Sequence, residues 1–530
     1  MQLGQRPAPP FPFWCNFILI CCVLALQACS DRNESAAQNA VLAQQAFDRH
    51  DLRTARAAVV AAIAERDDVV DYHLLQGRIE LAAQSDGAAY NAYNDALALD
   101  PTNGEALLAV AQLGLKTGNI KPSLDATDKI LLLAPDNIDA LLLRGIHSII
   151  KRDYAGAIGY GDKILALSPG NEGGTILKSR ALFMSGKLSD ALATLEGMSG
   201  SDAHSAPASL TRLEFYRALR QPAQLSAEFS NLRRLRPDDV PLQIDEANFR
   251  FKSSERGLGH ELVAGVLANR LIDRPHAEEA LALWQEYGFR DAPDALYGRI
   301  NRTGSVAARQ ALVRFLLRHN RLPEANATLA TLPTNASAGL RARYLMRIDK
   351  TAEALELAKA VLERDTTDCD ALIAASEGAL QRRAAADAVR SAELASSECP
   401  KQPSAWLAGA YAYQALGRES GVDRTYGQAL DANKQSSEIT ASYAQWLVAQ
   451  KRSREAVAMA RRLTRYAPAL LSGWQLYGDL CRSTGASCVD EATRGLANAR
   501  SLFEIDPAPG TAPPNGLFGR LSDESVASPY

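Results

Sequence analysis

Apolar positions along most of this chain recur at i, i+3 and i+4, the stripe that one face of an α-helix presents. Val263, Val266 and Leu267 show it, as do Leu312, Phe315 and Leu316. Alternating β-branched runs bounded by turns, the mark of strands, are scarce. Alanine-rich stretches such as 57–64 and 384–388 favour helix further, because alanine loses no side-chain entropy on joining one. The breaks between helices are themselves periodic. Pro101, Pro135 and Pro169 lie 34 residues apart, Pro237 follows two such periods later, and Pro400 and Pro468 are separated by the same double interval. The turn signals Gly118-Asn119, Arg152-Asp153 and Ser185-Gly186 keep the same step. Each period therefore reads as two amphipathic helices joined by a polar turn and stopped by a proline. A hairpin of this size cannot bury its apolar face alone and must stack on its neighbours.

Two segments depart from the pattern. Phe13 to Leu26 is a mostly apolar run of about fourteen residues, short for a membrane span (roughly 20 residues) and suited to the apolar region of a signal peptide. Between 240 and 334, Pro275, Pro293, Pro323 and Pro333 are out of phase while helical periodicity continues. Degenerate hairpins are expected there, with a separate helical domain as the alternative. The expected organisation is a signal peptide over 1–28, a linker over 29–35, an N-terminal repeat array over 36–239, degenerate repeats over 240–334, a C-terminal array over 335–509 and a disordered tail over 510–530.

Composition narrows the function classes. The chain has 530 residues, 47% of them apolar but only 6% aromatic, and 58 basic side chains against 61 acidic ones give a net charge of −3. No global field exists to recruit nucleic acid, so a nucleic-acid partner is not expected. Charge is uneven, however. Residues 31–205 carry 16 basic and 23 acidic side chains, whereas 297–350 carries ten basic ones against Glu324 and Asp349. That basic stretch is either a docking patch for anionic polysaccharide, lipid headgroups or an acidic partner, or a solvated helix face.

Catalytic motifs are missing. None of the seven histidines stands in a zinc-binding spacing, Gly186-Lys187 is followed by Leu188 where a phosphate loop needs Ser or Thr, and no G-x-S-x-G elbow occurs. No cofactor, metal or small-molecule substrate is expected. An envelope glycan-acting enzyme with its site in 240–334 is kept as the alternative to a non-catalytic protein.

The 34-residue period resembles the tetratricopeptide repeat (TPR). In 70–103 the small residues Gly77, Ala89 and Ala96, the aromatic Tyr93 and the closing Pro101 match that family's pattern, and 138–171 supplies Gly145, Ala157 and Pro169. Residues 403–436 supply Trp406, Tyr413, Tyr426 and Ala429, with Lys434 in place of the proline. From 471 onward Trp474 and Gly478 match, and Pro507 closes after an insertion of five. The resemblance covers roughly 36–239 and 335–509. It implies an all-α solenoid, a right-handed superhelix whose concave side is lined by the first helix of each hairpin. By the family's positions, Leu74, Leu108, Leu142 and Ile176 face inward together with Arg78, Gln112, Ile146 and Arg180. These residues form either an apolar partner groove or core between neighbouring hairpins.

Leu26-Gln27-Ala28-Cys29 is similar to the lipobox of Gram-negative bacterial lipoproteins, with Gln27 a departure at its position. The resemblance implies lipidation of Cys29, cleavage before it, and, since Ser30 follows, anchoring to the outer membrane with the chain facing the periplasm. In such a compartment Cys369, Cys399, Cys481 and Cys488 invite pairing. Cys369 opens one helix and Cys399 ends the next, while Cys481 and Cys488 flank a turn, so two short-range disulfides are geometrically possible. Free thiols and a metal site are the alternatives, although the spacing fits no zinc finger or ribbon. Together these features describe a lipid-anchored scaffold that holds envelope proteins or peptides for a machine such as exopolysaccharide export, pilus assembly or secretion.

Overall fold

The computed structural model describes residues 32–200, 204–290 and 292–506. The signal peptide, Cys29 and the 510–530 tail lie outside the described residues. Within them the fold is all-α: twenty-eight helices and no strand, arranged as stacked hairpins. The chain divides into two compact units, one up to Thr211 and one from Arg212.

The N-terminal unit contains α1 (residues 32–48), α2 (Leu52–Glu65), α3 (Val70–Ala82), α4 (Asp86–Leu99), α5 (Gly104–Thr117), α6 (Ile120–Leu133), α7 (Ile138–Ile150), α8 (Tyr154–Leu167), α9 (Glu172–Met184) and α10 (Leu188–Glu196). The boundary falls inside α11 (Ala206–Ala218). The C-terminal unit continues with α12 (Pro222–Leu235), α13 (Val240–Lys252), α14 (Arg256–Ala268), α15 (Arg274–Tyr287), α16 (Asp294–Thr303), α17 (Val306–Arg318), α18 (Leu322–Leu329), α19 (Thr334–Arg347) and α20 (Thr351–Leu362). It ends with α21 (Cys369–Gln381), α22 (Ala385–Glu398), α23 (Pro403–Ala415), α24 (Glu419–Ala432), α25 (Ser437–Ala449), α26 (Ser453–Tyr466), α27 (Leu471–Thr484) and α28 (Val489–Arg500).

Local chemistry explains the punctuation. Pro101, Pro135, Pro169 and Pro237 each stand two residues past a helix end, and the residue before each proline leaves helical geometry, as Asp100 does at φ −129°, ψ 93°. Two residues after the proline, an Asn or Asp caps the next helix. Asn103 accepts from the Ala106 amide at 3.0 Å, Asn137 from Ala140 at 2.9 Å, Asn171 from Gly174 at 2.9 Å and Asp239 from Leu242 at 2.8 Å. Pro-x-Asn is thus a combined stop and start.

Within hairpins the turn depends on one left-handed residue. His50, Gln84, Gly118, Arg152, Gly186, Arg220, Ser254 and Gly288 all have φ between 55° and 88° and follow one another at the 34-residue step. The prolines leave phase after Pro237, yet the turns stay in phase to Gly288. Only Asn320 and Asp349 come early, around the eight-residue α18, before Arg383, Gly417, Lys451 and Gly485 resume the step.

Packing follows the repeat. A side chain at Gly77 would meet the Tyr93 ring at 2.6 Å, so the glycine lets α3 and α4 close on the buried aromatic. In the C-terminal unit one apolar cluster runs from Ile244 to Leu340, centred on fully buried Trp284 against Tyr297 and Phe315. Helices on both sides of residue 334 share this core.

Candidate functional site

The first helices of the hairpins form an inner layer. Consecutive first helices pack directly on one another, as α5 on α7, α7 on α9, α15 on α17 and α21 on α23, whereas among second helices only α14 and α16 do so closely. Side chains on the exposed edge of that layer are therefore the ones a ligand laid along it would meet.

In the N-terminal unit the inner ladder is graded. Leu74, Ile146, Ile176 and Arg180 are buried, while Leu108, Gln112 and Leu142 are half-buried and Arg78 is exposed. Leu108 packs on the cluster around Tyr93 and Leu107, and Leu142 on the one around Leu141 and Ile164. Arg78 grips Glu105 across the α3–α5 step at 2.7 and 2.5 Å. Leu108 and Leu142 thus keep part of their apolar surface uncovered, with half-buried Gln112 between them in the chain.

The C-terminal unit differs, because polar contacts cross its inner face. Lys252 at the end of α13 donates to the carbonyls of Ala469, Ala499 and Leu502 at 2.9, 3.2 and 2.5 Å. Phe503 packs edge-on against Phe249, and Asp506 accepts from the Ala469 amide at 2.9 Å. On α15, Glu286 accepts from the Ser472 amide at 2.9 Å and hydroxyl at 2.6 Å, capping α27. From α17, Arg318 reaches Glu438 of α25 at 3.1 Å. Deeper in, Arg314 donates to one Asp370 oxygen at 2.9 and 2.8 Å and Arg343 to the other at 2.9 Å. Burial would raise the Asp370 carboxyl, but the two guanidiniums outweigh it and hold it down at about 2. Between these clasps lies a cavity of about 280 Å³, walled by α15, α17 and the N-terminal ends of α23, α25 and α27.

The basic stretch 297–350 supplies much of this machinery. Arg314 and Arg343 hold Asp370, Arg318 holds Glu438, Arg299 pairs with Glu261, Arg347 with Glu377 and Lys350 with Glu353. Arg321 pairs with Glu324, and Arg309 and Arg341 donate to the carbonyls of Thr331 and Leu329. Most of the apparent surplus is spent on carboxylates outside the stretch, from Glu261 to Glu438. It is not a bare cationic patch.

Cys369 and Cys399 form one disulfide and Cys481 and Cys488 another, with Cα atoms 6.4 and 5.6 Å apart. The first ties the start of α21 to the residue after α22, beside Asp370. Among the described residues no group of three His, Cys, Asp or Glu is arranged to hold a metal ion, and no helix is long and apolar enough to cross a membrane. A buried Ser–His contact does occur, Ser123 Oγ lying 3.0 Å from His147 Nε2, but both side chains are fully enclosed. Ser123 donates to the Ala111 carbonyl, and burial with the Arg144 charge pushes His147 down to about 4. The pair is a neutral internal bridge with no route for a substrate.

Sequence reasoning missed Lys252, Glu286, Asp370 and Gln402. Nothing in the sequence distinguishes them from polar side chains on a solvated helix, because their partners lie as far as 250 residues away along the chain.

No family model matches the chain, and no curated protein does. Solved structures with a similar stacking of helices include PilW, described as a widely conserved type IV pilus biogenesis factor (20% identity, 40% of this chain and 98% of that one, TM-score 0.33). A tetratricopeptide repeat protein from Parabacteroides merdae matches at 16% identity over 51% of this chain and 99% of its own (TM-score 0.39). Pseudomonas aeruginosa pilF matches at 16% over 40% and 97% (TM-score 0.31). Likenesses this distant carry no argument about function.

Proposed function

We propose that this chain is a non-catalytic interaction scaffold, anchored through lipidated Cys29 to the outer membrane and facing the periplasm, where it holds envelope proteins or peptides for an assembly machine. The partner surface is the inner layer of the N-terminal unit, centred on Leu108, Gln112 and Leu142 and flanked by Leu74, Arg78, Ile146, Ile176 and Arg180. The observation that carries this reading is the contrast between the two units. The inner face of the C-terminal unit is crossed by its own side chains, whereas the N-terminal ladder presents half-buried leucines at the first-helix positions that a bound segment would cover.

The test is Leu108→Asp and Leu142→Asp, with the melt and the capture of envelope proteins by a photo-crosslinker at Gln112 measured together. A carboxylate at a half-exposed position stays hydrated in the free protein and loses that hydration under an apolar partner, at a cost of about 2–4 kcal/mol. Lost crosslinking with a melt within a few degrees of wild type is expected. A collapsed melt would make these leucines core, and unchanged crosslinking would remove the groove.

A further inference from the structure

The hairpins of the N-terminal unit end on two rims of different chemistry. One rim holds the turns inside each hairpin, where single apolar residues such as Leu81 and Met184 are interrupted by exposed Lys121, Lys151, Arg152 and Lys187. The other holds the joins between hairpins, where each second helix ends and the next first helix starts. Over three consecutive joins, residues 98–102, 132–136 and 166–170, the charged side chains are Asp100 and Asp136. Neither is bare. Asp100 accepts from the amide and hydroxyl of Thr102 at 3.0 and 2.8 Å, and Asp136 pairs with Lys163 at 3.0 Å. Leucines stand beside them at the 34-residue step: Leu99, Leu133 and Leu167 are 41, 61 and 44% exposed, and Leu132 is 82% exposed. The joins adjoin one another, since Lys163 donates to the Pro135 carbonyl at 2.7 Å and Leu97 and Leu131 pack on one cluster. Single exposed leucines are ordinary on a protein surface, but a row of them on successive hairpins is an apolar strip of the kind that marks a contact site.

The same rim receives the N-terminal segment. Asn33, at the start of α1, accepts from the guanidinium of Arg66 just past the end of α2, and Arg66 also pairs with Asp68 at 2.6 Å in the first join. Cys29 precedes Arg32 by three positions, so its Cα lies within about 11 Å of the start of α1. An acyl group on Cys29 therefore puts the bilayer at this rim. The opposite rim is a 14-residue helix away, about 21 Å.

We propose that the apolar rim of the N-terminal unit, formed by Leu99, Leu132, Leu133 and Leu167, lies in the headgroup–acyl boundary of the bilayer as a second membrane contact beside Cys29. The proposal rests on the lipidation of Cys29 set out above. Leucines at that depth leave water without carrying an unpaired charge among the acyl chains, while the first join, with exposed Glu65 and Asp67, stays at headgroup level. Helices that end on this rim then stand across the membrane plane, and the layer of Leu108 and Leu142 opens sideways, clear of the lipid.

The experiment places an environment-sensitive dye on the mature acylated protein in vesicles of phosphatidylethanolamine and phosphatidylglycerol. In that protein Cys29 is a thioether and the other four cysteines are paired, so Leu133→Cys, Leu167→Cys or Lys151→Cys each supplies the thiol to be labelled. The dyes at 133 and 167 are expected to shift to the blue and to be quenched by brominated acyl chains, while the dye at 151 keeps its aqueous emission. Leu132→Asp combined with Leu133→Asp, both at exposed positions, should leave the melt in place and remove the quenching at 167. Palmitate labelling of each sample separates the two readings. A wild type without the label overturns the anchor and this rim with it. A labelled protein whose dye at 133 behaves like that at 151, or whose quenching at 167 survives the paired substitution, overturns the rim alone. A blue shift at 133 that appears without vesicles and grows with protein concentration would assign the strip to a second copy of the chain, and would overturn the proposal as well.

Discussion

Lys252 shows how much a single side chain can be asked to hold. Its ammonium satisfies three carbonyls at the end of α28 and the start of α27, and desolvation pushes it down to about 8 despite Asp506, Glu286 and Glu504 nearby. Asp506 is displaced in the opposite sense, to about 6, because burial outweighs its hydrogen bond from Ala469 and the Lys252 charge. The signs differ in consequence. Between pH 8 and about 10.5 the unfolded chain holds a proton on Lys252 that the native chain has released, so this residue's contribution to stability rises with pH across that window. Between about 3.8 and 6 the native chain holds the extra proton, on Asp506, and stability from that group falls as pH rises. A displacement of this size in Lys252 is worth about 3 kcal/mol. Lys252→Met should therefore flatten the rise between pH 8 and 10.5 in a denaturant-unfolding series. A variant whose slope over that range equals the wild type's would show that Lys252 is not desolvated. None of this was legible in the sequence, where Lys252 is one more cation at a helix end.

At the scale of elements the sequence was far more informative, because the repeat is enforced by short-range chemistry. A proline forbids helix in the residue before it, an Asn two residues later restarts the chain, and both act within six residues. The turn is equally local but harder to read. The left-handed position carries Gly118 in one hairpin and Gln84 or Arg152 in its neighbours, so no single residue type marks it. The prolines keep the period up to Pro237 and again between Pro400 and Pro468, while the turns keep step to Gly288. The equivalence also makes a prediction. A methyl group at Gly118 would touch nothing within 4 Å, so the cost of Gly118→Ala is the backbone strain alone, about 1–2 kcal/mol. Arg152→Gly should move stability the other way. Urea midpoints of the two variants test this, and a neutral Gly118→Ala would mean that the turn relaxes out of the left-handed region. Long-range clasps such as Glu286 to Ser472 have no local signal of this kind, which is why the inner face of the C-terminal unit was invisible before the fold was known.

For the whole molecule, the disulfides and the N-terminal segment make linked demands on the compartment. Cys369–Cys399 closes a separation of 30 residues and Cys481–Cys488 one of 7, worth about 3.5 and 2.5 kcal/mol respectively if loop entropy dominates. Bonds of this kind form and persist in an oxidising space, which fits the export proposed above. Export and anchoring are separable in the proposed scheme. Residues 13–26 direct export, and acyl chains on Cys29, each buried CH₂ contributing about 0.8 kcal/mol, retain the protein at the bilayer. Deleting residues 1–28 should leave five thiols, Cys29 included, that alkylate without reductant. Cys29→Ser should leave both disulfides intact, while the precursor stays uncleaved and takes no palmitate label. If Cys29→Ser still takes the label, the acyl group is elsewhere and the anchor fails. If the deleted form forms both disulfides in the cytosol, the cysteines say nothing about where the protein works, and the periplasmic reading would rest on the lipobox alone.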